Sequence, residues 1–243
     1  MTIDITERQK LLLKAIIEEF MHTAEAVGSL SLPKKYNIKA SSATIRNEMA
    51  KLVKAGFLSK PHSSSGRIPT TYGIKYYLQE LLNELEELDH SQEIEIREDL
   101  HQKRFDSQNL ITQAIKYLSE LTHNTALAII HNHIYYAGLA AMLDYPEFQE
   151  LSKLRSIIEI FEDYSLVLSL FEKYDGSNIQ ILIGEETGFK NFQNYAVVFT
   201  KINLYDNQSG YLGIIGPNRM NYSHVIPAIK CIANNIESVV KGW

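Results

Sequence analysis

The chain has one cysteine in 243 residues, Cys231, so no internal disulfide can form, and nothing suggests a structural metal framework. It has no uncharged apolar run near the roughly 20 residues that a membrane-spanning helix needs. The opening "MTIDITERQK" has no apolar core of the secretory kind, so the expected compartment is the cytosol and no membrane partner is expected. Glycine pairs such as "GIIGP" match neither the spacing of a phosphate-cradling loop nor that of a dinucleotide fingerprint. An overall positive charge is also missing: 24 Lys and Arg stand against 29 Asp and Glu, a net charge of -5. That total hides a split. Residues 1–78 hold 12 basic and 6 acidic side chains, and the remainder 12 and 23, so a basic head precedes an acidic body and an anionic partner is expected at the head.

What is present is ordinary globular material, 45% hydrophobic and 22% charged, which excludes general disorder. In "TERQKLLLKAIIEEFMHT", Thr6 and Gln9 have capping-box spacing, and Leu12, Leu13, Ile16, Ile17 and Phe20 recur at helical intervals. Gly28 and Pro33 limit the next helix to about Ser31–Tyr36. A third helix, from Ser42 to about Ala55, starts on the caps Ser41 and Ser42 and stops at Gly56. Ile45, Met49, Leu52 and Val53 form its buried stripe. "FLSKP" and "RIPT", joined by "HSSSG", read as a β-hairpin. Three helices followed by a hairpin make a winged helix-turn-helix. From Thr71 a long helix is expected through "TYGIKYYLQELLNELEELD", with Leu78, Leu81, Leu85 and Leu88 spaced for self-pairing.

The second part mixes both periods. "NLITQAIKYLSELT" and "PEFQELSKLRSIIEIFED" read as helices. "TALAII", "IYYAGLAAML", "NIQILIG", "YAVVFTKINLY" and "GYLGIIG" read as strands, and a helix from Tyr222 to about Val240 follows. The expected class is α+β with a mostly antiparallel sheet. Residues 1–90 form the winged helix-turn-helix with its trailing helix, 91–108 a linker or exposed helix, and 109–243 the α+β domain.

The chemistry sits in the head. The major groove of B-DNA admits a helix, and its base edges carry distinct donor and acceptor patterns. Thr44, Arg46, Asn47 and Lys51 lie on the face of the third helix opposite the apolar stripe. Arg pairs with guanine and Asn with adenine in bidentate fashion, at roughly 1–3 kcal/mol of discrimination each. Ser41 and Ser42 suit a helix cap and phosphate. In the wing, Ser63, Ser64 and Ser65 offer hydroxyls with little bulk, Gly66 permits a tight turn, and Lys60, His62 and Arg67 add donors for a phosphate backbone or a minor groove.

"SSATIRNEM" and "HSSSGRIPT", with "TERQKLLLKAIIEEF" and "VGS" before them and "YYAGLAAML", "PEF", "IGEE" and "GYLGIIGPNRMNYSHVI" after, resemble the blocks of the HrcA family of bacterial heat-inducible transcription repressors. The resemblance covers most of the chain. It implies a GAF-like second domain, binding to double-stranded DNA at the CIRCE inverted repeat ahead of chaperone operons, and help from a GroEL-type chaperonin. The family carries an inserted dimerisation domain between "TALAII" and "YYAGL", where this chain has only His131, Asn132, His133 and Ile134 before the second block. The GAF-like domain is thus expected in shortened form. A homodimer is expected, built on the leucine stripe with the sheet or the final helix.

Other motifs carry less. The tripeptide at His131–His133 lacks the separated residues of a ββα-metal nuclease, and no carboxylate or Cys lies near to complete a metal site. Adjacent Glu185 and Glu186 point apart in extended chain. Arg219 and Met220 are read as structural. No enzyme and no cofactor is expected; the rival reading is a small-molecule sensor in the GAF-like body.

Overall fold

The computed structural model describes residues 5–61, 66–130, 132–148, 150–174, 178–189, 192–205 and 208–241. The chain divides into two units, Met1–Glu84 and Leu85–Trp243.

The first unit begins with α1 (Glu7–Thr23), where Thr6 Oγ1 accepts from the Gln9 backbone N–H and Gln9 Oε1 accepts from the Thr6 backbone N–H. A short α2 (Leu32–Lys35) carries Pro33 in its first turn. In α3 (Ser42–Lys54), Ser41 caps the start, and Gly56 at φ +83 takes the left-handed position just past the end. β1 (Leu58–Ser59) and β2 (Ile68–Pro69) pair antiparallel, Leu58 opposite Pro69 and Ser59 opposite Ile68. Val27 adds a third rung by exchanging two backbone hydrogen bonds of 2.9 Å with Arg67. This crossing explains Gly66 better than a tight turn does, since a Cβ there would lie 2.5 Å from the Val27 carbonyl oxygen. Leu12, Ile16, Ile45, Met49, Leu52 and Phe57 share the core.

α4 (Thr71–Tyr76) runs into one π-type turn, Tyr77–Leu81, and stops. The expected leucine helix is therefore corrected: residues 82–89 are not helical, Leu85 and Leu88 lie beyond the helix, and a continuous stripe from Leu78 to Leu88 does not exist. The cause is a set of competing bonds in the second unit. The Glu86 N–H donates to the Ser223 carbonyl, and its carboxylate accepts from Asn221 Nδ2 and Ser223 Oγ, both at 2.7 Å. Glu84 and Glu87, three residues apart, would also repel each other on a helix.

The second unit has a five-stranded, wholly antiparallel sheet in the order β4-β3-β7-β6-β5. Its strands are β3 (Thr125–Ile130), β4 (His133–Ala137), β5 (Gln180–Ile183), β6 (Tyr195–Asn203) and β7 (Ser209–Pro217). β6 and β7 pair along their full lengths, Tyr195 opposite Pro217 through Asn203 opposite Ser209. α6 (Ser107–Thr122) and α9 (Tyr222–Lys241) pack together and against the sheet. On the other face, Leu127, Ile129, Val197 and Phe199 meet Ile157, Ile160 and Phe161 of α7 (Leu151–Glu162) and Leu170 and Phe171 of α8 (Tyr164–Glu172). Helices on both faces bury all of β3 and most of β6 and β7, which is why these strands read as near-continuous apolar runs.

Two stretches depart from the sequence reading, and a third takes one of the two forms expected of it. Residues 91–108, expected as a linker or exposed helix, contain most of α5 (His90–Gln102), a helix that buries Ile96 and Leu100 and leaves most other side chains at least partly exposed. "GLAAML" leaves the sheet at Gly138, whose φ is +79 and whose missing Cβ would strike Ser119; Leu139–Asp144 forms a 3-10 turn instead. Pro146–Phe148 is a second such turn, separate from α7. This region is pinned by Arg219, whose Nε and Nη2 donate to the two Glu147 carboxylate oxygens at 2.5 and 3.1 Å beneath the Tyr145 ring. Met220 beside it is buried.

Candidate nucleic-acid interface

α3 owes its placement to an acid that its pattern half conceals. Glu48 falls between Ile45 and Leu52 on the buried side and is only 5% exposed. Its carboxylate accepts from Arg8 Nη2 at 3.1 Å, Gln9 Nε2 at 2.8 Å and Lys51 Nζ at 3.1 Å, which ties α3 to α1. The Lys51 bond above all, then those from Gln9 and Arg8, holds the Glu48 carboxyl below the usual carboxylate range. The sequence reading passed over Glu48. The available signal was a charged residue at helical spacing inside an apolar stripe, since such a group is tolerated only when paired.

With that side fixed, the opposite side of α3 points outward. Arg46 and Asn47 are exposed, as are Ser41 and Ser42. Ser41 Oγ accepts from the Thr44 N–H at 3.1 Å and lies 2.9 Å from Thr44 Oγ1, so both hydroxyls are engaged in the cap. Lys51 is exposed but shares its charge with Glu48.

A groove of about 560 Å³ opens between the first turns of α3, the segment Val27–Ser31 and the hairpin. Ser42, Arg46, Lys60 and Arg67 line it together, and no carboxylate stands among the described residues of its lining. Three cations, Arg46, Lys60 and Arg67, share that lining. The Arg67 backbone is held by Val27 and its Nη1 donates to the Gly66 carbonyl, so this cation sits on a braced strand. Leu30 is 82% exposed beside them, an apolar group on the rim that the sequence reading did not single out. Of the residues singled out, Ser42, Arg46, Lys60 and Arg67 come together in the groove, Thr44 and Asn47 stand on α3 outside its lining, and His62, Ser63, Ser64 and Ser65 lie outside the described residues. A concave, cationic surface with an exposed helix start favours a polyanion over a small apolar ligand.

Glu186 Oε2 accepts from the Ile183 N–H at 2.9 Å and so caps the turn after β5. His133 is exposed on β4, and His131 lies outside the described residues. His224 has Nε2 2.8 Å from the Leu121 carbonyl and Nδ1 3.3 Å from Glu86, fastening residue 86 to α9. Among the described residues no helix is long and apolar enough to cross a membrane.

Residues 72–226 match the family model of the HrcA protein C terminal domain. The heat-inducible transcription repressor HrcA of Symbiobacterium thermophilum is 26% identical in an alignment covering 97% of this chain and 98% of that protein. That alignment runs over 339 positions against 243 residues here, so the relative holds a long segment without counterpart in this chain. A crystal structure of a hypothetical protein at 2.2 Å resolution superimposes with a TM-score of 0.82 at 20% identity, covering 98% of this chain and 99% of that one, a likeness of fold.

Proposed function

The chain belongs to the HrcA family, and from that premise we propose that it is a heat-inducible transcription repressor whose first unit is a winged helix-turn-helix. α3 is the reading helix, with Arg46 and Asn47 directed at base edges. Lys60 and Arg67, with the hydroxyls of Ser63, Ser64 and Ser65, grip the phosphate backbone. The observation that carries this reading is the groove in which Ser42, Arg46, Lys60 and Arg67 converge without a carboxylate among its described lining residues. The target is the CIRCE inverted repeat ahead of chaperone operons, occupied by two heads of a homodimer in the cytoplasm. Occupancy excludes transcription at normal temperature, and a GroEL-type chaperonin maintains the active form. The second unit is a reduced GAF-like body that sets the spacing of the heads.

A footprint on DNA flanking chaperone genes, taken across temperature with the mass of the bound complex, tests target and stoichiometry together. Protection of both half-sites that fades on heating is expected; uniform or absent protection at low temperature refutes the reading.

One observation favours a second reading, a small-molecule-responsive regulator. A cavity of about 370 Å³ in the second unit is lined by Leu110, Ile111, Ile130 and Tyr135 with the polar tips of Ser107 and Gln208. A tight ligand there raises the melting temperature by mass action, which a thermal-shift screen detects.

A further inference from the structure

α7 is apolar on two sides. Ile157, Ile160 and Phe161 enter the core, while Leu151, Leu154 and Ile158 line a shallow outward depression of about 470 Å³. Leu151 is 81% exposed and Ile158 39%, and Leu166 at the start of α8 is exposed to the same degree as Ile158. A helix that needed only to cover the sheet would place polar residues at 151, 154 and 158. Arg155, Glu159 and Glu162 share the lining, so the stripe is an aliphatic seam with ordered charges.

The order of those charges identifies the occupant. Arg155 lies three residues before Ile158 and Glu162 four after it. Laid against itself in reverse about a point between Ile158 and Glu159, α7 sets Arg155 opposite Glu162 at both ends and brings the two Ile158 side chains next to the axis. Laid against itself in parallel, it sets Arg155 on Arg155 and Glu162 on Glu162. Complementarity in the reversed sense alone selects an antiparallel, isologous contact with its twofold axis across the helices. Within one helix Arg155 and Glu162 are about 10 Å apart along the axis, too far to pair. Arg155 instead holds Glu159 at 2.8 Å, an exposed i,i+4 pair that is worth little and readily exchanged.

We propose that the outer face of α7 is where two copies of this chain associate, antiparallel and centred beside Ile158. The proposal specifies the surface of the homodimer named above and needs no DNA. One helix pair buries less than the ~1,200 Å² of stable interfaces, so self-affinity in the range of about 10–100 µM is expected, and simultaneous DNA contact by both heads strengthens the dimer.

The test is sedimentation velocity on the full chain without DNA, from about 5 to about 300 µM. Wild type is expected to pass from monomer to dimer across that range, and Ile158→Glu to weaken association at least about ten-fold. Arg155→Glu and Glu162→Arg each weaken it, and the double reversal restores it, a rescue that folding defects do not produce. All three positions of change are solvent-facing, and unchanged circular dichroism of the variants verifies the fold. A monomer throughout, a dimer indifferent to Ile158→Glu, or a double reversal without recovery overturns the proposal. Because no operator is present, these outcomes are independent of the DNA-binding reading, which fails separately if the dimer forms and the inverted repeat is not bound.

Discussion

Removing the Glu48 carboxylate should loosen α3 from α1 more than removing any of its cations. In Glu48→Ala the Arg8 and Lys51 side chains, 56% and 63% exposed, regain water, so each lost pair costs at most about 1 kcal/mol. Gln9 is 9% exposed, and its amide loses a 2.8 Å bond with little solvent to replace it, a penalty of about 1–3 kcal/mol. Relief from keeping a carboxylate out of water offsets part of this, and a net loss of about 2 kcal/mol is expected. Lys51→Ala should cost about 0.5 kcal/mol. The assay is urea unfolding with hydrogen exchange of the α1 and α3 amides, in a cycle with Gln9→Ala. Glu48 also dictates a pH dependence. Its folded pKa is depressed from the ordinary 4.5, so its contribution is complete above that value and is lost as pH falls through the folded one. The gap between wild type and Glu48→Ala should stay level near neutrality and close in acid. Additive effects of Glu48→Ala and Gln9→Ala, or a gap that is unchanged in acid, would refute the reasoning.

Three further outcomes follow from the same structure. Gly73→Ala places a Cβ 2.1 Å from the Phe57 carbonyl oxygen; the gain in helix propensity is about 1 kcal/mol and the clash costs more, so urea unfolding should show a net loss of about 1–2 kcal/mol. Arg219→Ala leaves Glu147, whose side chain is 16% exposed, without its bidentate partner and should cost about 3 kcal/mol, which thermal unfolding measures. Lys60→Ala should weaken binding to all DNA sequences alike and lower the slope of log affinity against log salt by about one, read from titrations at several salt concentrations.

The features legible in the sequence were those decided locally. The Thr6–Gln9 capping box and the Gly56 terminator depend on neighbours within a turn. β3, β6 and β7 were visible because burial on both faces leaves long apolar runs. The misreadings arose where a distant partner outbid a local pattern. Leucine spacing promised a helix through Leu88, but Glu86 bonds to Asn221 and Ser223, more than 130 residues away. β4 ends at the left-handed Gly138, where Ser119 leaves no room for a Cβ, a contact that no local pattern announces. In the head, Arg46, Lys60 and Arg67 were named from residue type and position. Their convergence depends on the Val27–Arg67 bridge and on Glu48, and both link residues about 40 apart.

The central claim, that α3 and its cationic groove read an operator, is tested most directly by fluorescence anisotropy of wild type and Arg46→Ala on the inverted repeat and on a scrambled duplex of equal length and charge. Wild type should bind the repeat much more tightly than the scramble. Arg46→Ala should lose about 1–3 kcal/mol on the repeat and almost nothing on the scramble. Equal affinity of wild type for both duplexes, or an Arg46→Ala variant as tight as wild type on the repeat, would contradict it.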